Sequence, residues 1–66
     1  MRYNYKKQAV IRYWIIDHTG SNKIVYWWSD VLKWLKEYGL EIERQETKYS
    51  SEFVTTFVYV KPIKIN

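Results

Sequence analysis

The sequence predicts an α+β domain of order ββαββ, a four-stranded sheet with one short helix packed on one face. Three observations lead there. Segments rich in β-branched and aromatic residues stand on either side of a single stretch with helical period. The segments are separated by turn signals: HTGSN at 18–22, Gly39, and Ser50–Ser51. The chain has 66 residues, 47% apolar and 27% charged, with 2 Gly and 1 Pro, which is the balance of one folded domain over residues 1–66 rather than of a disordered chain.

Taken in order, Met1–Gln8 (MRYNYKKQ) is polar, basic and without period, and reads as a flexible basic arm or the frayed start of a strand. Ala9–Asp17 (AVIRYWIID) is a strand by its β-branched and aromatic content. His18–Asn22 is a hairpin loop, and Lys23–Trp28 (KIVYWW) is the second strand, antiparallel to the first. In Ser29–Tyr38 the period changes: Val31, Leu32, Trp34, Leu35 and Tyr38 recur at helical spacing, with Lys33, Lys36 and Glu37 opposite. Ser29 is the expected N-cap, Asp30 suits the positive end of the helix dipole, and Gly39 suits the position just past the helix. Leu40–Tyr49 places Leu40 and Ile42 inward and Glu41 and Glu43 outward, then turns polar on both faces, as an edge strand does. Glu52–Val60 is the last strand, with Pro62 expected to limit its ladder and residues 61–66 forming an edge extension or tail.

This order of elements resembles the β-grasp arrangement of the small immunoglobulin-binding domains. The resemblance implies that the first and last strands pair in parallel at the sheet centre and that the middle two form the edges. Ala9–Asp17 and Glu52–Val60, apolar on both faces, fit central positions. A fully antiparallel sheet with one helix is the rival.

Either topology leaves a face uncovered, because one helix covers one side of a sheet. The first strand divides Ala9, Ile11, Tyr13 and Ile15 from Val10, Arg12, Trp14 and Ile16. The last divides Phe53, Phe57 and Tyr59 from Val54, Val58 and Val60. Neither face is polar, and the chain has no Cys for a disulfide and only His18 as a histidine, so no staple offsets its small size. The open face is therefore expected to meet a partner.

Charge suggests which partner. Arg2, Lys6, Lys7, Arg12 and Lys23 face Asp17 alone in residues 1–28, so the net +4 of the chain lies in its first half. Polyanions are attracted to such a patch, and sheet aromatics can stack unpaired bases. The expected function is a small non-enzymatic binding module for DNA or RNA, from a phage, virus or plasmid. Arg2, Lys6, Lys7, Arg12 and Lys23 would neutralise phosphates. Stacking would come from whichever of Tyr13 or Trp14, and of Tyr26 or Trp27, reaches the open face. The ordinary alternative for each aromatic is to fill the core.

A second reading is a protein-binding module: an inhibitor of a host protein, of the anti-defence kind, or a homodimer packing sheet on sheet. Glu41, Glu43 and Glu46 form an acidic stripe that fits mimicry of phosphates, or simply a charged, solvated edge. Catalysis is not expected. His18 has no Cys to activate, no set of His or Cys ligands offers a metal site, and Gly20 and Gly39 are too isolated to form a phosphate loop. No cofactor is expected. The longest apolar run, Ile24–Trp28, is five residues, so no membrane span is expected either, and the predicted compartment is intracellular.

Overall fold

The computed structural model describes residues 9–64. The predicted arm, with Arg2, Lys6 and Lys7, lies outside the described residues. Five elements follow in the expected order: β1 (Val10–Ile16), β2 (Asn22–Val25), α1 (Trp28–Tyr38), β3 (Leu40–Tyr49) and β4 (Phe53–Pro62). The sheet order is β2-β1-β4-β3, with β1 and β4 parallel at the centre and both outer pairs antiparallel. The arrangement implied by the β-grasp resemblance is thus present, and the fully antiparallel rival is not.

The β1–β2 turn is built by Asp17. Its Oδ1 accepts hydrogen bonds from the Thr19 N–H (2.9 Å), the Thr19 hydroxyl (2.7 Å) and the Ser21 N–H (3.0 Å). Such side-chain-to-backbone bonding replaces the ladder where the chain reverses, and Gly20 supplies the positive φ (91°) that the turn needs.

β2 is shorter than expected, ending at Val25, and α1 starts at Trp28 rather than Ser29. Tyr26 and Trp27 therefore belong to the connection. Trp27, with extended backbone, is the N-cap residue, and its carbonyl accepts from Asp30 (3.0 Å) and Val31 (3.3 Å) without any side-chain cap. The cause is tertiary: the Trp28 ring meets the Tyr13 ring edge-on, with centroids 5.4 Å apart, and anchors the first turn one residue before the capping serine. At the other end Gly39 adopts the left-handed conformation (φ 64°) and donates to the Leu35 carbonyl, as expected of a residue just past a helix.

The core is a narrow seam. Val31 and Leu35, one turn apart on α1, pack on Ile15, Val58 and Val60, flanked by Tyr13, Val25, Trp34, Leu40 and Ile42. Leu32 and Tyr38, expected on the apolar helix face, are 50% and 56% exposed. Eleven residues of α1 span about 16 Å and cross the sheet from the level of Tyr13 onward. Beyond the helix start no described element covers the same sheet face, where Ile11 is 55% and Tyr49 78% exposed.

Pro62 does not cut the ladder at Val60. Lys61 and Pro62 continue β4 opposite Glu41 and Leu40, and the Ile63 N–H donates to the Gly39 carbonyl (2.9 Å). Pro62 is the last residue of the strand, where its missing N–H is tolerated.

The seam makes a direct prediction. Leu35→Ala should cost about 2–5 kcal/mol of stability, because it opens a cavity against the sheet. Leu32→Ala, on the same helix but half in water, should cost well under that. Urea unfolding midpoints of the two variants check this.

Candidate nucleic-acid interface

Parallel pairing of β1 with β4 sets Val10 beside Phe53, Arg12 beside Thr55, Trp14 beside Phe57 and Ile16 beside Tyr59. Partners in register share a face, and this is the face opposite the core. β2 adds Ile24 next to Trp14, and β3 adds Arg44 next to Tyr59, Glu46 next to Phe57 and Lys48 next to Thr55.

These side chains cover one another. Trp14 and Phe57 stack at 5.5 Å with 25° between their planes. The Arg12 guanidinium lies 3.9 Å from the centre of the Phe53 ring and 6.0 Å from that of Trp14, while its Nε–H donates to Thr55 Oγ1 (2.8 Å). Arg44 lies 4.0 Å over Tyr59 and its Nε donates to Glu46 (3.3 Å). Both guanidiniums sit over aromatic faces, where the ring quadrupole attracts them. Arg12 spends one of its five N–H donors on Thr55 and keeps the Nη donors for other acceptors. Beneath this layer the Trp14 Nε1–H is buried with no hydrogen-bond partner among the described residues.

Arg44 owes its place to a bulge. Leu40 and Ile42 face the core, so strict alternation would send Arg44 inward as well. The register shifts between Ile42 and Arg44, with Glu43 as the extra residue, and from there Arg44, Glu46 and Lys48 face outward while Gln45, Thr47 and Tyr49 take the helix side. Thr47 meets Thr56 there, hydroxyl to hydroxyl at 3.1 Å. Glu43 itself accepts a hydrogen bond from His18 Nε2 (3.0 Å), which holds its carboxyl below the ordinary value of 4.5. Asp17 is likewise lowered, chiefly by the Thr19 hydroxyl.

The predicted site residues separate into distinct places. Arg12 and Trp14 stand on the open face. Tyr13 packs against the core and Trp28 on the helix side. Lys23, Tyr26 and Trp27 line a groove between β2 and α1, with Lys23 Nζ 5.6 Å from the Trp34 ring centre. Phe53, Phe57 and Tyr59 join Arg12 and Trp14. The period of two in EFVTTFVYV already grouped those three, but only the parallel register brings them beside β1. Arg44 and Lys48 left no such signal, because the bulge reverses their phase.

Among the described residues no group of three or more His, Cys, Asp or Glu is placed to hold a metal ion, and no helix is long and apolar enough to cross a membrane. No family model, curated protein or solved structure matches this chain.

Deleting Glu43 should close the bulge, making Ile42 and Arg44 consecutive opposite Val60 and Tyr59, so Arg44, Glu46 and Lys48 keep facing outward and that variant should still fold cooperatively. Glu43→Ala keeps the residue count and should remain folded with a small loss. Far-ultraviolet circular dichroism through a thermal melt of both variants checks this, and loss of a cooperative transition on deletion would contradict the assignment of Glu43 as the extra residue.

Proposed function

We propose that this chain is a non-enzymatic module that binds single-stranded nucleic acid on the open face of β1 and β4. The observation that carries the reading is the layer formed by Arg12, Trp14, Phe53, Phe57 and Tyr59 with Arg44 and Lys48 beside it. Unpaired bases expose ring faces that stack on aromatic side chains, and the phosphates that follow them need donors within a few ångströms. The Trp14–Phe57 pair supplies a platform. Arg12, fixed by Thr55 and Phe53, offers its Nη donors in a geometry that is already ordered, which lowers the entropy lost on binding.

Single strands suit this surface better than duplex. A sheet face with its aromatic rings lying between strands does not reach base edges inside a groove, and α1 occupies the other side of the sheet. Glu46 beside Phe57, and Glu41 further along opposite Lys61, oppose uniform attraction along β3, so the arginine–aromatic end near Arg12 and Lys48 is the stronger anchor.

Fluorescence titration of the chain with single-stranded DNA and RNA oligomers, and with duplex, at two salt concentrations tests this. Single strands should bind more tightly than duplex and lose affinity as salt rises, with a log–log slope of about −0.7 for each phosphate contact. Arg12→Gln should weaken binding by several-fold. Trp14→Leu should weaken it by about 10-fold, the scale of one lost base stack. Absence of binding at low salt, or Arg12→Gln binding unchanged, would overturn the proposal. A mass that rises with concentration in light scattering, without oligomer binding, would assign the face to a second copy of the chain.

A further inference from the structure

Where α1 ends, the β1–β2 turn, the last helical turn and the end of β4 enclose a cleft of about 570 Å3, within the size range of small-ligand sites. It lies on the helix side of the sheet, apart from the face assigned to nucleic acid. Its apolar wall is Trp34, Tyr38, Leu40 and Pro62, and Asp17 and Asn22 stand on its polar wall. His18 also borders it, but already donates to Glu43.

Three features of this cleft favour a positive charge. First, its lining contains the Asp17 carboxylate and no Lys or Arg, in a chain of net charge +4. The turn uses Oδ1 of Asp17 for all three of its bonds, which leaves Oδ2 without a hydrogen bond among the described residues. Second, the C-terminal end of α1 points its partial negative charge toward this end of the molecule. Third, Trp34 and Tyr38, one turn apart, form a wedge of two rings 4.6 Å between centroids and inclined at 46°. The Lys23 ammonium approaches the same Trp34 ring from the neighbouring groove, 5.6 Å from its centre, which leaves the Tyr38 side of the wedge to the cleft. Tyr38 is 56% exposed, so much of its ring is open on the cleft side of the helix.

We propose that this cleft binds an alkylated ammonium ion, its alkyl groups against Trp34 and Tyr38 and its charge opposite Asp17. The rings and the apolar wall take the alkyl groups, which cannot be hydrogen-bonded, and the quadrupole and carboxylate take the charge. A phosphate or carboxylate ligand meets the wrong sign here. The same chemistry is presented by a free quaternary amine such as choline and by a trimethylated lysine side chain on another protein.

The test uses the full chain and follows the Trp34 indole resonance during titration with choline, with a trimethyllysine peptide, and with the neutral analogue of choline in which carbon replaces nitrogen. At least one of the two cations should shift Trp34 saturably, and the neutral analogue should bind at least about fivefold more weakly than choline if choline is the ligand. Asp17→Asn retains an oxygen acceptor for the turn and removes only the charge, and it should lower cation affinity by about fivefold or more. Tyr38→Leu, at an exposed position that does not threaten the fold, should do the same. A stronger response to the peptide assigns the site to a protein tail, and a stronger response to choline assigns it to a free amine. Saturation by neither cation, equal affinity for the neutral analogue, or unchanged affinity in Asp17→Asn overturns the proposal. None of these results depends on whether the opposite face binds nucleic acid.

Discussion

Parallel pairing between β1 and β4 is the contact on which the rest of this fold depends. It spans all seven residues of β1, from Val10 beside Phe53 to Ile16 beside Tyr59, and joins the two hairpins into one sheet. Parallel neighbours cannot be linked by a tight turn, so the chain between them must cross over, and here that crossover carries β2, α1 and β3. One crossover helix can cover one side only. The central strands are apolar on both sides, and the same pairing that builds the Ile15–Val58–Val60 core therefore also assembles an aromatic layer on the opposite face.

That layer is neither a second core nor bare surface. Trp14, Phe53, Phe57 and Tyr59 are half-buried by one another and by two arginines drawn over the rings. Exposed ion pairs such as Arg44 with Glu46 contribute little to stability, on the order of 0–1 kcal/mol. The arrangement is better understood as a surface whose cations are held in place by aromatic faces. A chain with five buried apolar residues in its seam among the described residues, and no disulfide, has little else to give up, so binding on this face would also add to its stability by mass action.

Much of this was legible in the residues. The period of β1 and β4, the HTGSN turn, Gly39 and the polar Leu40–Tyr49 edge follow from local chemistry, and the structure has each of them. What was not legible depends on contacts made at a distance. The start of α1 moved ahead of Ser29 because Trp28 found Tyr13. Tyr26 and Trp27 left the sheet because the chain needs them to turn from β2 into the helix. Leu32 is exposed because α1 meets the sheet along one seam. Arg44 changed face because a single extra residue, Glu43, reverses a period of two, and no alternation in LEIERQETKY announces it. The candidate site was half visible for the same reason: Arg12 and Trp14 lie on a strand that reads plainly, whereas Arg44 and Lys48 require the bulge.

The four tryptophans lie in four different surroundings, which makes them separate reporters. Trp14 is part of the open face, Trp27 is 70% exposed in the β2–α1 groove, Trp28 meets Tyr13, and Trp34 borders the cleft at the end of the helix. Binding at the open face is therefore read most directly from the four indole N–H resonances of labelled protein, assigned by single Trp→Phe variants, during addition of a single-stranded oligomer. The Trp14 resonance should move furthest and saturably, while Trp28 and Trp34 stay near their starting positions. A response led by Trp27 or Trp34, with Trp14 unmoved, would contradict it.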